Sequence, residues 1–202
     1  MSISQIIFKE IARMPIGEPF TVERLKQYGQ WRSIQKCLSR MTQSGELDRI
    51  DKGIYAKPIR VRRSYRIIRT GKVLVDCIEE TTHETVIKSG AHAVNLLGIS
   101  TQAQIQEMYY WTGRSKSINI EGKIITLCYI NKKYANKSHP LLELFLSAAY
   151  FLGRKKFTIE TLKLVEQRLG KDKILEMEEY LLVMPMWVMT VFRQYFSGIK
   201  NG

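Results

Sequence analysis

Residues 29–56 read GQWRSIQKCLSRMTQSGELDRIDKGIYA. Within them Ile34, Cys37, Leu38 and Met41 recur at steps of three and four, which lines them up on one face of an α-helix. The spacing predicts a helix from about Gln30 to Ser44, stopped at Gly45. Behind it, two short strands flank Asp51-Lys52-Gly53, whose glycine suits the positive φ of a tight hairpin. Upstream, Ile3, Ile6, Ile7, Ile11 and Met14 form another helical stripe, capped by Ser2 or Ser4 and ended by Pro15, Gly17 and Pro19. Thr21 reads as the cap of a short helix with Glu23 in its first turn, Val22 and Leu25 inward, and Gly29 as a left-handed stop. Three helices and then a hairpin is the order of a winged helix-turn-helix, here spanning 1–58 and closed by Pro58.

With that stripe inward, the third helix turns Trp31, Arg32, Ser33, Gln35, Lys36, Ser39, Arg40 and Gln43 outward. This set suits the major groove of DNA. Arg can grip guanine with both arms and Gln adenine, whereas Lys36 and Arg40 suit phosphates. Trp31, Arg32 and Gln35, near the amino end, are the candidate base readers; Trp31 reads equally well as a core residue that seals the turn. Arg49 and Lys52 lie beside the hairpin tip, where a wing meets backbone or minor groove. The plainer alternative is a solvated amphipathic helix.

Charge supports a polyanion partner. The 202 residues hold 32 Lys and Arg against 19 Asp and Glu, a net +13. Residues 1–73 carry 16 basic and 6 acidic side chains, so most of the excess sits there. A basic block on a folded module is the footprint of a nucleic-acid partner. Residues 59–72 form an acid-free basic connector with Arg60, Arg62, Arg63, Arg66, Arg69 and Lys72, following Lys57. Arg60, Arg62 and Arg63 join the candidate DNA contacts.

Residues 73–202 read as an α+β domain with a helical C-terminus. Helices are predicted over 73–80, 90–97, 139–152, 158–169 and 171–196, the last broken at Pro185. Strands are predicted over 84–88, 107–111, 117–121 and 123–130. Tyr109, Tyr110 and Trp111 are expected to divide between core and one exposed ring. Tyr110, Arg114, Lys116 and Lys123 form a candidate partner surface. Arg154-Lys155-Lys156 reads as a solvated turn.

Chemistry is not legible in the chain. His83, His92 and His139 stand apart from one another and from Cys37, Cys77 and Cys128, so no metal site, cofactor or disulfide framework is expected. No phosphate loop or nucleophile elbow occurs. Gly113-Arg114-Ser115 lacks the acidic pair that a nucleotidyl-transfer site needs, so no catalytic residues are expected. The chain shows no secretory leader or membrane span, and wide-spaced cysteines fit a cytoplasmic protein.

Three stretches resemble a known family. The Cys37-Leu38-Ser39-Arg40-Met41 helix with its Gly53-Ile54-Tyr55 hairpin is similar to the start of AbiEi-type antitoxins of type IV (abortive-infection) toxin–antitoxin systems. The likeness is to a branch with an SGAxAxNxLGxSTQ segment, which here reads SGAHAVNLLGISTQ over 89–102. In that branch a Gly-x-Ser-Arg pattern precedes a hairpin, and here it reads Gly113-Arg114-Ser115-Lys116. The resemblance spans roughly 16–153 and departs from the family at Gln30, where Ser or Asn is usual.

The resemblance implies a transcriptional autorepressor that binds double-stranded operator DNA. It also implies an antitoxin whose functional partner is a nucleotidyltransferase toxin, without a stable complex being assumed. A monomer or weak dimer is expected, with two copies on an inverted repeat. The rival readings are an RNA or ribonucleoprotein-binding protein and a degenerate nucleotidyltransferase.

Overall fold

The computed structural model describes residues 2–59, 70–87, 90–100, 107–120, 122–135 and 139–200, without the side chains of Thr70 and Lys200. The fold is α+β. It divides into two compact units, 1–84 with 118–123, and 85–117 with 124–202.

The first unit opens with α1 (Ile3–Arg13). Ser2 caps it through a reciprocal box: the Gln5 amide donates to Ser2 Oγ and the Ser2 amide to Gln5 Oε1. Ile7 and Ile11 are buried, as the stripe predicts, while Ile3 stays largely exposed. The Lys57 side chain closes the other end, its Nζ donating to Ala12 O at 2.9 Å and Met14 O at 2.8 Å. A cation at a helix C-terminus satisfies orphan carbonyls and meets the negative end of the dipole.

The short second helix is a 3-10 helix over Val22–Tyr28, and it does not begin as the sequence suggests. Thr21 makes no capping bond. It belongs to strand β1 (Phe20–Thr21), which the sequence reading lacks. Gly29 is extended, with φ 165°, rather than left-handed. A Cβ there would meet the Ile3 side chain at 3.2 Å, a tight contact that Ile3 would have to relieve by a few tenths of an ångström.

Helix α2 (Trp31–Gln43) follows the predicted span and buries Ile34, Cys37, Leu38 and Met41. Strands β2 (Asp48–Asp51) and β3 (Ile54–Ala56) form the hairpin. With β1 they make an antiparallel sheet of order β1-β3-β2, Phe20 opposite Tyr55 and Arg49 opposite Tyr55 on the other side. Gly53 takes φ +76° at the turn. The unit's core joins Ile7, Ile11, Phe20, Val22, Leu25, Leu47 and Tyr55 to the α2 stripe.

Helix α3 (Thr70–Thr82) also packs on this sheet. Leu74, Cys77 and Ile78 are buried, and Cys77 Sγ donates to Pro19 O at 3.5 Å. The compact units thus divide between Glu84 and Thr85. Of the expected 59–72 connector, residues 60–69 lie outside the described residues and 70–72 are already helix.

The second unit contains β4 (Val86–Ile87), α4 (Gly90–Leu96) and β5 (Glu107–Trp111). Next come β6 (Lys116–Ile120), whose end lies in the first unit's 118–123 segment, and β7 (Lys123–Tyr129). The sheet order is β4-β5-β7-β6, with β4 antiparallel and β7 parallel to β5.

Helices α5 (Pro140–Leu152), α6 (Ile159–Leu169), α7 (Lys171–Leu175) and α8 (Met186–Lys200) complete it. A 3-10 helix over Glu176–Val183 stops before Pro185, where the sequence predicts a break. The core gathers Leu142, Phe145, Leu146, Phe157, Leu162, Val188 and Phe192, with Phe145 edge-on to Phe192. Helix α4 lies so close to α5 that a Cβ on Gly90 would sit 2.4 Å from Phe151 Cβ and 2.7 Å from Ser147 O.

Candidate nucleic-acid interface

Helix α2 presents its polar face to solvent because its apolar stripe is fully used by the core. Trp31, Arg32, Ser33, Gln35, Lys36, Ser39 and Arg40 are all exposed, so the structure brings these seven predicted residues onto one surface. Trp31 is 42% exposed and is not the seal of the turn. Lys26 of the preceding 3-10 helix lies 5.7 Å from its ring centroid and pairs with Glu23. Sequence reasoning missed Lys26 as a member of this face. The available signal is a run from Arg24 to Gly45 with Arg24, Lys26, Arg32, Lys36 and Arg40 and no acidic residue.

The start of α2 adds to the positive field. Gln30 takes the N-cap position, and its carbonyl accepts from the amides of Ser33 and Ile34 at 2.9 and 3.1 Å. Its side chain makes no capping bond. The positive end of the helix dipole therefore lies beside Arg32, which favours anions.

The hairpin is more restrained than a free wing. Arg49 and Lys52 are exposed, as expected. The turn, however, rests on α3: a Cβ on Gly53 would meet Thr81 Cγ2 at 3.1 Å. Arg60, Arg62 and Arg63 lie outside the described residues. Lys57, grouped by sequence with that basic run, is engaged by the carbonyls that end α1.

The expected partner surface in the second part of the chain needs a correction. Tyr110 is buried, with 5% exposure, because its face of β5 is covered by a cluster with Ile87, Ile130 and the Tyr134 and Tyr150 rings. Its ring packs 5.7 Å from that of Tyr150, and burial holds its phenol well above the ordinary range. Trp111 is buried too, and Tyr109 is half-buried. Arg114 and Lys123 are exposed, and Lys116 Nζ lies 5.0 Å from the Trp111 ring centroid.

Among the described residues no group of three His, Cys, Asp or Glu side chains is placed to hold a metal ion. No helix among them is long and apolar enough to cross a membrane. A recess of about 210 Å³ is lined by His139, Pro140, Glu176, Glu179 and Tyr180, with the His139 and Tyr180 rings 4.5 Å apart. It brings no nucleophile next to a base.

No curated protein and no solved structure is significantly similar to the chain. A family model described as a family of unknown function, DUF6088, matches residues 6–177. That match takes in α2, the hairpin and most of the second unit, and on it the chain belongs to the DUF6088 family.

Proposed function

We propose that the chain is a DNA-binding transcriptional regulator whose first unit acts as a winged helix-turn-helix. The observation that carries this reading is the exposed face of α2, where Trp31, Arg32, Gln35, Lys36 and Arg40 share a surface with Lys26. Helix α1 and the 3-10 helix pack against α2, whose buried stripe joins the unit's core, and this supports the reading because the polar face is left open. In this reading Arg32 and Gln35 contact base edges, and Lys36, Arg40, Arg49 and Lys52 contact phosphates. The partner is double-stranded operator DNA, bound by two copies on an inverted repeat in the cytoplasm.

The antitoxin role rests on the resemblance of residues 89–102 and 113–116. The second unit would counter a nucleotidyltransferase toxin without a stable complex, and the chain itself would catalyse nothing.

The test is a gel shift on the DNA upstream of the chain's own gene, with a salt titration. About six phosphate contacts give a log–log slope near −5. Arg32→Ala is expected to relax base preference, and Lys36→Ala to weaken specific and random duplexes alike. Absence of a salt-dependent shift with any upstream fragment refutes the reading. For the second role, co-expression with a neighbouring nucleotidyltransferase should restore growth, and failure to do so removes the antitoxin assignment.

A further inference from the structure

One corner of the second unit's sheet sets an exposed ring beside a basic loop. Strands β5 and β7 run parallel, and their register puts Trp111 beside Tyr129. Partners on adjacent strands point to the same face, so the two rings share one side of the sheet. Trp111 is buried there, whereas Tyr129 is 56% exposed. Lys116 opens β6, and its Nζ lies 5.0 Å from the Trp111 ring centroid, which places it on that side too. Tyr110 and Cys128, also partners in the register, occupy the opposite face with the rings packed on them.

The loop from β5 to β6 is fitted to this corner at two points. Gly113 packs against the Trp111 indole, where a Cβ would meet Cη2 at 2.6 Å. Ser115 reaches β7, its Oγ accepting from the Tyr129 amide at 2.9 Å. That hydroxyl accepts one bond and keeps its own proton to donate. Arg114 stands between the two anchors and is exposed. The stretches 108–120 and 122–142, which supply the loop and both rings, contain no acidic residue.

An exposed ring next to a guanidinium and a hydroxyl suits a ligand that joins a flat ring to a phosphate. Arginine meets phosphate with a two-pronged fork, and a phenol ring stacks on the face of any base. One exposed ring and one cationic loop serve a single nucleotide, whereas a strand calls for a succession of both. We propose that this corner of the second unit binds a free nucleoside phosphate, with the base stacked on Tyr129 and the phosphate held by Arg114 and the Ser115 hydroxyl. Lys116, engaged with the Trp111 ring, raises the local positive potential. The site uses no residue of the α2 face and stands or falls independently of it.

The experiment is equilibrium dialysis of the full chain against radiolabelled ATP, GTP, CTP and UTP, with inorganic tripolyphosphate and an oligouridylate as comparisons. At least one triphosphate should bind, and tripolyphosphate should bind about tenfold more weakly. Tyr129→Ala should weaken the triphosphate about tenfold, as expected for one lost stacking contact, while Tyr129→Phe keeps the ring and binds like the parent. Arg114→Ala should cost about as much as Tyr129→Ala. All three variants should keep the parent melting curve. Arg32→Ala with Lys36→Ala should leave triphosphate binding unchanged. The proposal is overturned if no triphosphate binds, or if Tyr129→Ala or Arg114→Ala binds like the parent. It is equally overturned if tripolyphosphate binds as tightly as the nucleotides, which would show charge without stacking, or if Tyr129→Phe loses as much as Tyr129→Ala. If only the oligouridylate binds, the ligand is a strand and the proposal is wrong. It is wrong as well if the α2 variant abolishes triphosphate binding, because the site then lies on the first unit.

Discussion

Thr21 donates its hydroxyl to Glu80 Oε2 at 2.8 Å, joining strand β1 to helix α3 across fifty-nine positions of sequence. Thr21 is fully buried, so its hydroxyl needs a partner, and α3 supplies one. Thr21→Val keeps the shape and removes the donor. It should destabilise the chain by about 1–2 kcal/mol in urea unfolding. Hydrogen exchange should quicken in α3 more than in α2; uniform quickening would contradict a local tie.

Gly53 meets two constraints at once, a positive φ of +76° and Thr81 at 3.1 Å from its Cβ position. Gly53→Ala should cost about 1–2 kcal/mol. Thr81→Ser removes the methyl and retains the hydroxyl bond to Cys77 O. The double variant should therefore lose less than the two single losses added together, and a double-mutant cycle measures the difference.

Gly90 allows the closest approach in the second unit. A methyl there would overlap Phe151 Cβ and the Ser147 carbonyl. Gly90→Ala should force α4 away from α5 and lower stability by about 2–3 kcal/mol, read from the thermal melt. An unchanged melt would mean that the two helices are not packed this tightly.

Burial pushes the Cys77 thiol up from 9.0 to about 11, the effect of Arg24 being outweighed. The folded chain therefore favours the neutral thiol, while the unfolded chain ionises it earlier. This contribution is fully present below pH 9 and is lost as pH rises from 9 through 11. Cys77→Ala should flatten the alkaline arm of the stability profile over that window. Cys77 should also resist thiol reagents at pH 8 until the chain unfolds, whereas the half-buried Cys128 reacts sooner.

Trp31 lies on the surface, so Trp31→Ala should change stability by less than about 1 kcal/mol. On the proposed reading it should weaken duplex binding several-fold. A large stability loss with unchanged binding would return Trp31 to the core.

Some of this architecture is legible in the sequence because one local rule governs it. Ile34, Cys37, Leu38 and Met41 form a single stripe, and that stripe alone defines α2 and its outward face. β1 is two residues long, too short for strand alternation to show, and Thr21 imitates a helix cap. Gly29 has an extended backbone rather than the left-handed stop its sequence position suggests, and its close neighbour is Ile3 of another helix. Tyr110 reads as a surface residue until Tyr150, forty positions away, is seen to pack on its ring. Tyr134 and Tyr150 carry no shared local pattern, and only their packing on the cluster of Ile87, Tyr110 and Ile130 reveals them as neighbours.

Lys57 gives the composition a different meaning. Its ammonium already holds the carbonyls of Ala12 and Met14. A cation so engaged releases no counterion when a polyanion arrives, so it adds nothing to the salt dependence of binding. Acetylating it would instead remove the charge and leave a single N–H for two carbonyls, fraying the end of the first helix. A modification that looks like a change in ligand affinity would then be a change in how firmly the N-terminus is tied down.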